Sequence, residues 1–342
     1  MPILKVLTPN FWNHSMAERS FEVIKPGLAT TVQDLGRPGY YHLGIPLTGA
    51  MDRFALIIAN RLVGNPDGAA GLEATFLAPE LLFLSDAMVA ITGAEQPPNL
   101  DGVEQPLWTA FPVAAGQTLS FGYLKGGARA YVAVSGGIDV PVVLGSRSTY
   151  SLGKLGGFEG RPLKAGDVVP LGMSSKACHE GATLPPHGRR PLPSGETEIR
   201  VVPGLYWHRV TAKSQSTFFE ETWKVAPEAD RVGYRFRGGT QLDFEPRKQP
   251  FGAGADPSNI VDSCYPYGSI QVPSGTEPIV LHRDAVSGGG YLMIGAVIAA
   301  DMDLVGQLQP NHQVRFISVT LEQALAARAV EKARLAAANN LL

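Results

Sequence analysis

The sequence has few of the residues that mark several large classes of protein. It contains only two cysteines, Cys178 and Cys264, which lie far apart and form neither a Cys-x-x-Cys pair nor a metal-ligand spacing. We therefore expect two reduced thiols in a cytoplasmic protein that has no metal site. Long apolar runs are lacking too, since stretches such as residues 296–300 are far shorter than the roughly 20 residues that span a bilayer.

Charge is also scarce. Only 18% of the residues are charged and the formal net charge is −2, so no basic surface for nucleic acid is expected. No Gly-x-Gly-x-x-Gly or P-loop is present, because Gly153-Lys154 is followed by Leu155 and has no preceding glycine loop. Ser135 lies in a sequence that imitates a nucleophile elbow, but Pro141 follows where that turn needs a helix. The sequence thus predicts neither an ATP site nor a serine nucleophile.

What is abundant is punctuation by glycine and proline. The 39 glycines and 27 prolines separate short β-type runs, for instance at residues 21–24, 88–92 and 130–134. A chain of 342 residues accommodates two domains of about 150 residues each. Residues 1–20 are expected to be an extension, and the proline-rich stretch 174–195 a linker between domains. The composition favours a mainly β fold with a few helices.

Two helices and a recurring turn stand out from this background. Apolar residues at helical spacing predict an amphipathic helix over residues 51–63, which Gly64 and Pro66 end. Thr320 and Gln323 have the spacing of a capping box and predict a second helix that extends to about Ala338. Turns at residues 116, 166 and 311, each followed by an apolar strand, suggest that the two halves are related.

Three segments concentrate polar side chains among glycines and prolines. The first contains Thr-Thr-Val-Gln-Asp-Leu-Gly-Arg-Pro-Gly at residues 30–39 and continues to Asp52. The second contains Gly-Ser-Arg-Ser-Thr at residues 145–149. The third covers residues 267–273 and 284–291. Loops of this composition bring distant polar groups together, so we expect a site to form from them.

In these segments the chain resembles a family of biotin-dependent carboxyltransferase subunits. The family includes allophanate hydrolase subunit 2, the carboxyltransferase subdomain A of urea carboxylase, the C-type subunit of 5-oxoprolinase, and proteins named for inhibiting a kinase. The match extends in order over residues 21–320, and the motifs at residues 30–39 and 145–149 carry most of it. The resemblance implies two cyclophilin-like β-barrel domains, at residues 21–173 and 196–320, with residues 321–342 as a C-terminal helix.

The resemblance implies that a carboxyl group moves from carboxybiotin to a urea- or amide-type nitrogen. No lysine here lies in the Met-Lys-Met setting of a biotin carrier, so biotin would arrive on a partner chain. The expected partners are an allophanate hydrolase subunit 1-like chain, a biotin carboxylase with its carrier protein, and a small substrate. The chain is then an enzyme subunit that is inactive alone.

The resemblance and the residue types together assign roles within this site. Arg147 and Ser146 are the expected donors to an oxyanion, and His42 is a candidate proton shuttle. The other candidates are expected to bind substrate, and they are Arg37, Gln33, Asp52, Thr149, Gln271, Asp284 and Tyr291. Simpler interpretations stay open for several of them. Arg37 can hold its own loop, Asp52 can stabilise a helix N-terminus, and Tyr291 can fill the core.

The chain departs from the family pattern at residues 204–206, 285–292 and 310–312. The first two departures alter side chains in the pocket of the second domain, so the substrate is left open. Residues 40–46 are closer to the urea carboxylase branch. Two alternatives therefore remain: the C-type subunit of an ATP-dependent 5-oxoprolinase, which uses no biotin, and a non-catalytic regulatory subunit of the kinase-inhibitor type.

Overall fold

The computed structural model describes residues 19–174 and 179–342. Cys178 and the predicted extension up to residue 18 lie outside these ranges. Within them, no helix is long and apolar enough to cross a membrane. The same ranges contain no group of three or more histidine, cysteine or acidic side chains that could hold a metal ion.

The first half of the chain forms two antiparallel sheets around a shared core. One sheet has the strand order β11-β1-β4-β9-β6-β7, and the other has the order β2-β3-β10-β5-β8. Its strands are β1 (Ser20–Lys25), β2 (Thr31–Gln33), β3 (Gly71–Thr75), β4 (Glu80–Phe83), β5 (Ala87–Glu95), β6 (Pro98–Leu100), β7 (Val103–Glu104), β8 (Ala110–Val113), β9 (Thr118–Phe121), β10 (Gly126–Val134) and β11 (Val168–Pro170).

Alternation along the strands sends apolar side chains from both sheets into this core. Phe21 and Phe83 come from the first sheet, and Val89 and Val132 from the second, and all four are fully buried. Burying one such side chain contributes roughly 1.5–3 kcal/mol. Helix α1 (Arg53–Leu62) covers the outer face of the second sheet with its apolar side. The predicted helix over residues 51–63 is thereby confirmed.

The second half contains a closed barrel with the strand order β12-β19-β16-β17-β14-β13-β20. The barrel closes where β12 pairs in parallel with β20, with Thr197 opposite Val314. Strands β15 and β18 form a separate ribbon. The strands are β12 (Thr197–Pro203), β13 (Trp223–Val225), β14 (Gly233–Arg237), β15 (Asn259–Cys264), β16 (Ser269–Gln271), β17 (Ile279–Leu281), β18 (Gly288–Tyr291), β19 (Met293–Val297) and β20 (Gln313–Ser318).

Aromatic side chains fill the core of the barrel. Phe218 from helix α2 (Ala212–Glu220) stacks on Phe316 with ring centroids 4.8 Å apart, and Trp223 packs beside them. The short helix α3 (Met302–Val305) follows the last crossing of the barrel. Helix α4 (Leu321–Ala338) ends the fold and has the predicted capping box between Thr320 and Gln323.

Helix α4 begins beside the barrel and ends on the first half. Its residue Leu335 packs in the cluster that surrounds α1, and the Leu335 carbonyl accepts a 2.7 Å hydrogen bond from Arg61. The segment between the halves is also attached to the first half, because Thr183 bridges to Thr109 and the Leu184 side chain is fully buried. These contacts leave the predicted domain limits as predictions, but they show that the helix joins both halves.

The two halves meet along a packed seam. Met51 of the first half is fully buried within the barrel's own core cluster. Opposite it, a Cβ atom on Gly306 would lie 2.9 Å from the Met51 carbonyl oxygen, so only glycine allows this approach. Gln309 crosses the seam as well and donates a 2.6 Å hydrogen bond to the Gly127 carbonyl. The halves therefore form one continuous body.

The mainly β fold with few helices is as the sequence predicts. The strand predictions at residues 21–24, 88–92 and 130–134 fall in β1, β5 and β10 and are confirmed. The recurring turns are confirmed too, since Gly116, Gly166 and Asn311 have φ angles of 89°, 84° and 66° and each precedes a strand.

Candidate functional site

The Asp34 carboxylate organises the two loops that carry most of the predicted site. Its Oδ1 accepts hydrogen bonds from the Ser146 hydroxyl at 2.7 Å, from the Gly36 amide at 2.7 Å, and from the Ser148 hydroxyl. Its Oδ2 accepts a bond of 2.6 Å from the Arg147 amide. The Ser146 proton is thus directed at Asp34, so in this arrangement its donor serves the protein's own fold.

Arg37 lies inside the same assembly with only 1% of its surface exposed. Its guanidinium donates to the Thr48 hydroxyl at 3.0 Å and to the Ser148 carbonyl at 2.5 Å. Burial lowers the pKa of Arg37, and the charges of Asp34 and Asp284 oppose this shift. Its Nε has no partner in the described ranges. Arg37 therefore braces its own loop, while its role toward a substrate stays a prediction.

Arg147 points outward from the Asp34 assembly. Its Nε donates to the Val140 carbonyl at 2.8 Å, and one terminal nitrogen forms an ion pair of 3.0 Å with Asp139. The Arg147 side chain is 37% exposed, so N–H groups of its fork face solvent. Of the predicted oxyanion donors, this guanidinium is the one open to an incoming group.

Gln33 and Thr149 complete the first cluster from below. The Gln33 amide donates to the Thr31 hydroxyl at 3.0 Å and to the Thr149 carbonyl at 3.2 Å. The Thr149 hydroxyl donates to the Val32 carbonyl at 3.0 Å. Both side chains are buried, and Oε1 of Gln33 lacks a partner among the described residues. These two residues hold the strand β2 against the 145–149 loop.

A buried ionic network crosses the seam next to this cluster. Arg231 of the barrel pairs with Glu73 of strand β3 and binds both oxygens of Asp284, at 2.9 and 3.0 Å. Burial favours a raised pKa at Glu73, yet the charges of Arg231 and Arg129 hold that pKa below its ordinary value. Tyr131 adds a hydrogen bond of 2.7 Å to Glu73. Asp284, a predicted substrate ligand, is thus fixed to Arg231.

Asp52 is the N-cap of α1 and also reaches across the seam. Its Oδ1 accepts from the Ala55 amide at 3.0 Å, and its Oδ2 accepts from the Gln307 amide at 2.8 Å. The Gln307 carbonyl in turn accepts from the amides of Ala128 and Arg129. Asp52 therefore fulfils the helix-stabilising alternative, and binding of substrate by this carboxyl stays a prediction.

Burial raises the pKa of Asp52 from 3.8 to about 7, and the Asp303 charge adds to the shift. The folded chain then holds this proton more tightly than the unfolded chain. The stabilising contribution is complete below about pH 4 and is lost as the pH rises towards 7. We expect Asp52→Asn, which keeps a cap, to remove this decline. Urea midpoints of both proteins between pH 4 and 8 measure it, and equal slopes would contradict the assignment.

The remaining predicted residues lie apart from the Asp34 assembly. Gln271 hydrogen-bonds the Tyr265 hydroxyl, which also bonds the Tyr291 amide and carbonyl, each at 2.8 Å. The Tyr291 ring is 41% exposed at the end of β18. His42 is exposed on the 3-10 turn Tyr41–Leu43, where its imidazole forms no hydrogen bond or ion pair within the described ranges. The predicted residues therefore form two groups rather than one.

Two recesses in the surface are lined by other residues. One, of about 480 Å³, lies between Trp108, Lys125 and the segment around Arg189. The other, of about 440 Å³, is lined by Arg19, Met88 and others. None of the predicted site residues lines either recess. The predicted site is an open surface along the seam, which is what a site completed by another chain would offer.

Sequence reasoning missed the residues that hold the seam together. Glu73, Arg129 and Arg231 were not candidates, yet they are the charged centre of the buried network. A signal was present, because Glu73 and Arg129 interrupt strands whose neighbouring residues are apolar. Charged residues in such strands are buried only when they are paired. What they pair with is a property of the folded chain alone.

The chain belongs to the carboxyltransferase domain family, subdomain A and B, whose model matches residues 43–318. It is similar to the C-type subunit of 5-oxoprolinase from Escherichia coli, with 38% identity over 309 residues that make up 90% of this chain and 94% of that protein. It is also similar to urea amidolyase of Saccharomyces cerevisiae, with 35% identity over 93% of this chain.

Solved structures agree with this membership. The crystal structure of the Kluyveromyces lactis urea carboxylase superimposes with a TM-score of 0.87 and 33% identity over 94% of this chain. The match covers 29% of that enzyme, and the match to the S. cerevisiae urea amidolyase covers 18% of its length. The chain thus corresponds to nearly all of the bacterial subunit but to a minor part of the large yeast enzymes.

Proposed function

We propose that the chain is one part of a carboxyltransferase site that acts on a urea- or amide-type nitrogen of a small molecule. The observation that carries this proposal is the TM-score of 0.87 with the K. lactis urea carboxylase over 94% of the chain. The seam supports it physically, because a buried network holds the loops of both halves in fixed positions. Positioning of this kind is what brings two reactants into register.

Carboxybiotin is the carboxyl donor in this proposal and is carried by a partner chain. The residues fit a ureido group, since the outward fork of Arg147 has N–H groups that neither Val140 nor Asp139 uses. Bound carboxybiotin would supply the carboxyl group that is transferred. Arg147 would hold the ureido oxygen as negative charge forms there, and Arg37 and Gln271 would orient the acceptor.

A second function is favoured by the length of the match. The E. coli 5-oxoprolinase chain is similar over 94% of its length, so this chain corresponds to a whole subunit of that enzyme. In that case the complex would open a lactam at the cost of ATP bound elsewhere and would use no biotin. Both functions need partners, namely an allophanate hydrolase subunit 1-like chain and either a biotin carboxylase with its carrier or a lactam-hydrolysing subunit. We place either complex in the cytoplasm.

Reconstitution separates the two functions. The full chain is co-purified with each set of partners, and the complexes are assayed for biotin-dependent carboxyl transfer to urea and for ATP-dependent hydrolysis of 5-oxoproline. We expect turnover with one set and none from the chain alone, because it has neither a carrier lysine nor a P-loop. Turnover by the isolated chain would contradict the proposal. Elution of the chain apart from both sets would contradict it as well.

A further inference from the structure

Arg283 is a buried cation that the protein itself does not pair. It follows strand β17 with 6% of its surface exposed, and its guanidinium carbon lies 4.4 Å above the ring centre of Tyr267. Its Nε has no hydrogen-bond partner, and its side chain forms no ion pair with a carboxylate, in the ranges that the structure describes. Arg231 and Arg129, equally central, both lie against Glu73. Arg283 differs from these two in lying against a ring rather than a carboxylate.

The Tyr267 hydroxyl beside it is also left without a partner. It is buried, and it forms no hydrogen bond within residues 19–174 and 179–342. An unpaired buried donor is destabilising, so such groups normally meet a water molecule or a ligand. His282 does not fill this role, because its Nδ1 accepts from the Arg283 amide and its Nε2 lies 3.0 Å from the Met302 carbonyl. Two orphan donors therefore share one wall.

The groups around these two donors make the place electropositive and open. Arg53, at the start of α1, has an exposed side chain, and Tyr41 is half-buried. Partial burial and the Arg283 charge both lower the pKa of Arg53. Asp303 is the acid that faces them, and it already accepts from the Phe54 amide at 3.3 Å and lies 3.5 Å from Arg190. Its charge is thus engaged elsewhere.

We infer that Arg283 and Tyr267, with Arg53 and Tyr41 at the rim, bind the carboxylate of a small molecule. A planar guanidinium and a phenol are complementary to a planar oxyanion, and a partly buried position strengthens the bond. The inference rests on the proposed function for its choice of a carboxylate over other oxyanions. The site adjoins residues 285–292, which depart from the family pattern, so it is a place where this chain sets its own specificity.

Direct binding to the isolated full chain tests this inference. The probes are 2-pyrrolidone-5-carboxylate and neutral 2-pyrrolidone, which differ only in the carboxylate, with inorganic phosphate as a third probe. In calorimetric titrations we expect the carboxylate to bind measurably more tightly than the neutral lactam and phosphate. We expect Arg283→Met to weaken carboxylate binding about 10- to 100-fold and to leave the neutral lactam unaffected.

Thermal melting separates a binding role from a structural one. Methionine keeps an apolar stem on the Tyr267 ring and removes an unpaired charge, so the melting temperature of Arg283→Met should stay equal or rise. Arg235→Met is the matched control, because Arg235 lies on the same barrel and is paired with Glu277 at the surface. That variant should bind the carboxylate like the unsubstituted chain.

Three results would overturn the inference. The first is equal carboxylate binding by Arg283→Met and the unsubstituted chain, or no carboxylate-dependent binding at all. The second is a marked fall in melting temperature of Arg283→Met with unchanged affinity, which would make Arg283 a structural residue. The third is phosphate binding as tight as carboxylate binding. Because the titration needs no partner and no turnover, a failed transfer assay with intact binding contradicts only the proposed function.

Discussion

Replacing Arg231 by methionine should lower the free energy of unfolding by about 3 to 5 kcal/mol at neutral pH. The variant leaves Glu73 and Asp284 buried without their main cation, and both are less than 10% exposed. Burial already raises the pKa of Asp284, and the Arg231 charge opposes that shift. Without Arg231 the two acids should take up protons more readily, so the deficit should shrink as the pH is lowered.

Urea denaturation at pH 7 and pH 5 measures this effect. Arg237→Met is the control, because Arg237 forms exposed ion pairs with Glu228 and Glu277 and its loss should change stability little. A loss in Arg231→Met no larger than in the control would show that the network does not hold the halves together. The same experiment followed by fluorescence of Trp223, in the barrel core, reports whether the barrel loosens first.

Asp34→Ala should cost about 3 kcal/mol or more, since it leaves two hydroxyls and two amides without their acceptor. The groups affected are Ser146, Ser148, Gly36 and the Arg147 amide. Hydrogen exchange at the amides of Gly36 and Arg147 should accelerate, because these bonds are what closes the two loops on each other.

Asp86→Ala is the matched control for Asp34→Ala. Asp86 also caps a loop amide, that of Ala115 at 2.8 Å, but it does so at the surface. Its replacement should leave exchange at Gly36 and Arg147 unchanged. Asp34→Asn should be intermediate, because one acceptor oxygen remains. If Asp34→Ala exchanged like the unsubstituted chain, the loops would be held by their backbones rather than by this carboxylate.

Local signals were sufficient for much of the fold because they act within a few residues. The cap at Asp52, the capping box at Thr320 and the turns at Gly116 and Gly166 all depend on backbone groups that lie close in sequence. Helix α2 shows the limit. No helix is predicted over residues 212–220, whose serine and threonine content is unfavourable, and it forms because Phe218 packs against Phe316.

The candidate site was predictable only in part, for a related reason. The sequence indicates that Arg37, Ser146 and Thr149 come together, and the structure places them in contact with one assembly. It does not indicate that Asp34 would use the Ser146 hydroxyl, or that Arg231 would join Glu73 to Asp284. Those pairs are more than 50 residues apart, so no periodicity or local motif records them.

The pairing of β12 with β20 also has a consequence for the order in which the protein can form during synthesis. The first strand of the barrel must wait for a partner that lies 117 residues later, at the pairing of Thr197 with Val314. Until then β12 presents an unpaired edge, and the growing chain is open to association with other chains. Contacts of such long separation also form slowly. Shortening the chain before residue 313 would leave the barrel permanently unclosed.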